Sequence, residues 1–198
     1  MPQIGNQRPE ALAAETARVF FALWPEQAVR AQFMQWAKLL HETCDGNISK
    51  PGNLHITLAF LGNVEVSRLD ELKLLASRIG GSAFSLEFSA PGYWRHNRIA
   101  WAAPDQTPPV LSDLVQNIES SLRAAGFKFD ERPYAPHLTL LRKARWDPPQ
   151  CALKSVNWKI SEFTLVRSNR MASGSHYEII GRWPLFLEPA STQEPQPR

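Results

Sequence analysis

The chain has little with which to brace itself covalently. Its 198 residues hold only two cysteines, Cys44 and Cys151, which form neither a close-spaced metal-ligand pair nor a disulfide framework. A reducing, cytoplasmic setting is therefore the expectation. Long apolar runs are also missing, and nothing approaches the roughly 20 residues of a membrane-spanning helix. The stretch from Met1 to Glu15 is too polar to read as a signal peptide or anchor. Charge of one sign is scarce as well. The 22 basic residues stand against 19 acidic ones, and a net +3 does not by itself announce a nucleic-acid binder.

What is present is the material of an ordinary folded protein. The hydrophobic fraction is 43%, with ten phenylalanines and seven tryptophans, and a chain of this length can bury a core without staples. The basic residues are unevenly placed. Between Leu141 and Arg182 there are eight (Arg142, Lys143, Arg145, Lys154, Lys159, Arg167, Arg170 and Arg182) against Asp147, Glu162 and Glu178. Such a bias either steers a polyanion toward one end of the molecule or forms a solvated basic surface.

The organisation is repetitive. Residues 1–17 read as a loosely held lead. Arg18 to Leu23 reads as a strand, and Pro25 suits the opening of a helix whose apolar stripe is Val29, Phe33, Trp36/Ala37 and Leu40. A strand is expected over Leu54 to Leu61. Ser67-x-x-Asp70 resembles a capped helix start, followed by Leu69, Leu72, Leu75 and Ile79 at helical spacing. A further strand is expected over Phe84 to Phe88, with Tyr93 and Trp94 in a turn. The plan then recurs: a strand at Arg98 to Ala103, a helix opened by Thr107 and Pro108 and lined by Leu111, Leu114, Ile118 and Leu122, and a strand after Pro136. The two half-repeats cover about 18–88 and 98–141. Two more strands follow at about 158–167 and 176–183, and residues 188–198 read as a disordered tail. The result is an α+β fold of two similar lobes in one domain over 18–187. Helices are expected on the outer faces of the sheets, and the other faces toward a central trough.

The repeat carries chemistry. His55-Ile56-Thr57-Leu58 returns as His137-Leu138-Thr139-Leu140. Side chains alternate along a strand, so each copy places imidazole and hydroxyl on one face and aliphatic residues on the other. Leu54, Ile56, Leu58 and Phe60 are thus expected to share the helix side, with His55, Thr57 and Ala59 toward the cleft. Histidine titrates near 6.5, so it can take or give a proton near neutrality. Phosphodiester hydrolysis requires both operations, on opposite sides of one phosphorus, and threonine hydroxyls can donate to the non-bridging oxygens where charge grows. No His-Glu-x-x-His pattern is present and no carboxylate lies within either tetrad, so the expectation is that neither metal nor other cofactor is needed. An RNA-binding module using the same groups without chemistry is the alternative.

On these residues the chain resembles the 2H phosphoesterase superfamily, and within it the RNA 2′,3′-cyclic phosphodiesterases, historically called 2′-5′ RNA ligases. The resemblance runs from Arg18-Val19-Phe20-Phe21-Ala22-Leu23 through Asn53-Leu54-His55-Ile56-Thr57-Leu58-Ala59-Phe60-Leu61-Gly62 and Pro136-His137-Leu138-Thr139-Leu140-Leu141-Arg142 to Tyr177 and Trp183-Pro184-Leu185. It implies a bilobal, pseudo-two-fold fold and metal-free hydrolysis of an RNA 2′,3′-cyclic phosphate to a 2′-phosphomonoester. Some members of the family also join or cleave 2′-5′ linkages between tRNA halves. It implies His55 and His137 as the acid–base pair, the first as acid, and Thr57 and Thr139 as phosphate ligands. Candidate substrate contacts are Arg142, Tyr134, Tyr93, Trp94 and Arg170. Arg142 reaches the phosphate only if its strand twists or ends, since regular alternation points it to the Leu138 side. The partner implied is RNA bearing a cyclic phosphate end, with no membrane and no obligate protein partner. A small cyclic nucleotide or ADP-ribose cyclic phosphate is the alternative substrate.

Overall fold

Apolar strands buried on both faces need neighbours on both edges, and β1 (Thr16–Leu23) has them. In a computed structural model, which describes residues 14–148, 153–171 and 174–186, β1 pairs antiparallel with β3 (Ile56–Glu65) and with β9 (Glu162–Met171). β1 starts two residues before the expected Arg18, because Ala17 is already buried and opposite Val64. The sheet continues outward from β9 to β10 (Gly174–Pro184) and inward from β3 to β7 (Leu138–Arg142), β6 (Ile99–Ala102) and β5 (Pro91–Trp94), while β2 (Asn47–Ile48) lies beside β7. A separate ribbon joins β4 (Phe84–Phe88) to β8 (Val156–Ile160).

Two strand expectations are corrected. The single strand foreseen over 158–167 is divided at the exposed Ser161, because its halves serve different sheets. Trp158 pairs with Leu86 of the ribbon, and Leu165 pairs with Phe21 of the main sheet. Tyr93 and Trp94 lie in β5 rather than in a turn, opposite Ala100 and Ile99. Pro91-Gly92 mimics a turn signal, but here the glycine admits a close neighbour. A Cβ on Gly92 would lie 2.1 Å from the indole of cross-strand Trp101.

The helices are α1 (Gln27–Cys44), α2 (Leu69–Ala76) and α3 (Pro109–Ala124). The expected stripes are buried: Val29, Phe33, Trp36, Ala37 and Leu40 in α1, and Leu111, Leu114, Ile118 and Leu122 in α3. Neither Ser67 nor Thr107 caps a helix with its side chain. A 3-10 turn over Val66–Arg68 leads into α2 instead, and Arg68 pairs with Glu71 at 2.8 Å. α1 packs against β7 and α3 against β3, so each half-repeat's helix covers the other half's His-x-Thr strand. β4 and β8 close over α1, with the Phe88 ring edge-on to Phe33 at 5.0 Å. Among the described residues the opposite face of the main sheet carries a small cluster, Phe20, Ala22 and Val166, flanked by Trp24, Phe60, Tyr177 and Ile179. That open face holds the cleft. The lead expected over 1–17 falls mostly, and the tail over 188–198 wholly, outside the described residues. No helix among them is long and apolar enough to cross a membrane.

Candidate active site

The half-sheets meet at one register pair, Ile56 opposite Leu138. β2 then takes over the edge of β7 at Leu141 and Arg142. In an antiparallel pair the residues flanking a matched couple oppose one another crosswise. His55 is therefore set toward Thr139, and Thr57 toward His137, about a local two-fold through the Ile56–Leu138 pair. The four side chains line one cavity of about 620 Å³. Each histidine sits one residue ahead of its strand, at the point where the backbone leaves the ladder.

A matched irregularity shapes the floor. β1 pairs Phe21 with Ala59 and Ala22 with Thr57, which leaves Leu58 as an extra residue. β6 pairs Ala100 with Leu141 and Trp101 with Thr139, which leaves Leu140 extra in the same way. A bulge advances the side-chain alternation by one position. Ala59, expected in the cleft, therefore joins the helix-side core, and Phe60, expected in the core, lines the cavity. Its counterpart three residues after the second threonine is Arg142. The second bulge buries Leu141 fully and turns Arg142 into the cavity, against regular alternation.

The imidazoles are held alike. Nδ1 of His55 lies 2.7 Å from the Asn53 carbonyl oxygen, and Nδ1 of His137 lies 2.9 Å from that of Ala135. A carbonyl can only accept, so each Nδ1 carries the hydrogen and each Nε2 is left for chemistry. Asn53 is itself fixed, its side-chain amide donating to the Ser175 carbonyl at 3.2 Å. The His55 ring is boxed: Trp24 stacks on it at 5.2 Å and 5°, Phe20 lies at 4.9 Å, and Tyr177 meets it edge-on at 5.2 Å. Burial lowers its pKa to about 4, against the upward pull of the Asn53 carbonyl, and the charges of His137 and Arg142 push it down further. Burial also lowers the pKa of His137, opposed by the Ala135 carbonyl and assisted by Arg142. Burial thus favours the neutral form of both rings at pH 7, and a bound anion favours their protonation.

Arg18, Lys50, Arg142 and Lys143 line the cavity and, among the described residues, no Asp or Glu does, so its field suits an anion. The Arg18 guanidinium lies 4.6 Å over the Phe60 ring. Among the described residues no group of three or more His, Cys, Asp or Glu is placed to hold a metal ion. Other expected contacts divide. Trp94 meets His137 edge-on at 4.5 Å. Tyr93 packs against the core and donates its hydroxyl to the Ala144 carbonyl at 2.9 Å. Tyr134 packs there too, with its hydroxyl buried and burial raising its pKa. The Arg170 side chain lies outside the described residues. Trp24 and Tyr177 carry no local signal in the sequence for a place at the site, because they reach His55 from the end of β1 and from β10, far apart in the chain.

The sequence profile of the 2′-5′ RNA ligase superfamily matches residues 24–172. The RNA 2′,3′-cyclic phosphodiesterase of Escherichia coli is 33% identical over 174 residues, 87% of this chain and 98% of that protein. Its counterpart from Thermus thermophilus is 25% identical over 196 residues, covering 91% and 96%. The crystal structure of E. coli LigT in apo form superposes with a TM-score of 0.77 at 31% identity, over 87% of this chain and 99% of that one. Its complex with 3′-AMP gives a TM-score of 0.76 at 32% identity, over 86% and 99%. With the duplicated His-x-Thr strands and the bilobal α+β fold, this match places the chain in the 2′-5′ RNA ligase superfamily, to which it belongs.

Proposed function

We propose that the chain hydrolyses RNA 2′,3′-cyclic phosphate ends to 2′-phosphomonoesters, without a metal. The observation that carries this reading is the pairing of two Nδ1-anchored imidazoles and two threonine hydroxyls about one seam, in a cavity whose described lining has four cations and no carboxylate. The activity named for the relatives agrees with it. His137, the less enclosed ring, takes a proton from water through Nε2 as the water oxygen bonds to phosphorus. The P–O3′ bond breaks on the opposite side, and His55, protonated when the anion enters, gives its proton to the departing 3′ oxygen. Thr57, Thr139 and Arg142 hold the non-bridging oxygens. A 5′-hydroxyl in place of the water would give a 2′-5′ linkage instead.

The test is to incubate the purified protein in EDTA with an RNA oligomer ending in 2′,3′-cyclic phosphate. A 2′-phosphate product is expected, and an added 5′-hydroxyl oligomer reports any ligation. His55→Asn and His137→Asn should each lower kcat/KM by about 10²–10⁴, and Thr57→Val or Thr139→Val by less. No product from the unaltered protein, or full activity in both histidine variants, would overturn the reading.

A further inference from the structure

A cavity of about 620 Å³ holds a terminal phosphate and its nucleoside, yet an RNA end has a strand behind it. Accepting the activity proposed above, we propose that this strand leaves the cavity across the segment from Lys143 to Trp146. Its phosphates lie against Lys143 and Arg145, and one of its bases stacks on the Trp146 indole.

Lys143 lines the cavity and is exposed, so the path begins inside the site. Three residues on, Trp146 leaves 66% of its surface in water. An indole is a large apolar surface to leave uncovered, and every base has a face to stack on it. The exposure is fixed by the backbone. The Ala144 N–H donates to the Arg98 carbonyl at 3.0 Å, and the Arg145 and Trp146 N–H groups donate to the Cys44 carbonyl at 2.8 and 3.3 Å. The Tyr93 hydroxyl holds the Ala144 carbonyl from β5. The segment is therefore a pinned ridge beside the mouth.

Charge fits the same path. Asp45 pairs with Arg145 at 3.0 Å and Asp147 pairs with Arg95, but both pairs are largely exposed and yield readily to a phosphate. A different exit exists, a neighbouring hollow of about 550 Å³ that shares Arg18 and Ser168 with the cavity. It contains Arg167 but also Glu15, and none of its lining residues is aromatic. The ridge therefore favours a stacked polyanion, and it gives the basic bias after Leu141 a use.

The experiment compares kcat/KM for cytidine 2′,3′-cyclic phosphate with kcat/KM for an RNA oligomer bearing the same end. Trp146→Ala should lower the oligomer value on the order of tenfold and leave the mononucleotide value unchanged, and Trp146→Phe should restore most of the loss. Arg145→Ala should lower the oligomer value and flatten its salt dependence. Equilibrium binding of an oligomer carrying a 2′-phosphate end, read by the anisotropy of a fluorophore on its 5′ end, should weaken in Trp146→Ala whether or not turnover occurs. Oligomer turnover and binding unchanged in Trp146→Ala, or an oligomer-specific loss seen only with Arg167→Ala, would overturn the ridge. A wild-type protein inert on both substrates would overturn the activity instead, leaving the binding measurement to judge the ridge.

Discussion

An imidazole acts as acid or base only in the protonation state that its surroundings permit. His55, under Trp24 and beside Phe20 and Tyr177, is held neutral, with a pKa near 4 against about 6.5 in an unfolded chain. A folded-state pKa below the unfolded one stabilises the fold fully above about pH 6.5, and that stability is lost as pH falls toward 4. The melting temperature should accordingly drop between pH 6.5 and 4, and His55→Asn should flatten the slope in that window. An NMR titration of the His55 ring should give a midpoint near 4 in the free protein, moving upward with saturating inorganic phosphate. A midpoint near 6.5, unmoved by phosphate, would show that the aromatic box does not act as described. The histidines and threonines were legible in the sequence because they recur as a tetrad. The box was not, since its members come from β1, from Trp24 just beyond it and from β10, and no local spacing announces a stacking partner from a distant strand.

Within the elements, the decisive feature is the extra residue directly after each threonine; β3 carries a second one, Leu61, that β7 does not match. Period-two alternation predicts the faces correctly through Thr57 and Thr139 and fails after them, because Leu58 and Leu140 are bulged. Nothing in two leucines distinguishes a bulged position from a regular one. The same event at the same place in both halves turns Phe60 and Arg142 into the cleft, so matching positions of the otherwise two-fold floor hold an aromatic ring, under Arg18, and a guanidinium. The end of β7 is braced by Gly46, whose φ is +96° and whose added Cβ would lie 2.8 Å from the Arg142 carbonyl oxygen and the Ala144 nitrogen. Gly46→Ala should therefore cost more than about 1 kcal/mol in urea unfolding, and it should raise KM for a cyclic phosphate by displacing Arg142. Unchanged stability and KM would mean that this turn does not set the strand end. α1 and α3 were legible from apolar spacing, and α2 less so, since it ends at Ala76 with Ile79 of its expected stripe beyond it; β5 and the break at Ser161 were not, because pairing partners rather than local composition decided them.

In the whole molecule the halves are interlocked rather than juxtaposed. α1 covers β7 and α3 covers β3, so neither half can open without stripping the helix that buries the other's motif strand. Unfolding should follow one transition, with tryptophan fluorescence and far-ultraviolet circular dichroism superimposed. Separate transitions would indicate lobes that are independent after all. The cross-covered sheet is what holds two imidazole–hydroxyl pairs at one seam. The most direct measurement of that arrangement is a crystal structure with a nucleoside 2′-phosphate bound. Phosphorus should lie between the two rings, with each Nε2 within about 3 Å of a different phosphate oxygen and the Thr57 and Thr139 hydroxyls on the remaining ones. A phosphate touching one imidazole alone, or held outside the seam, would contradict it.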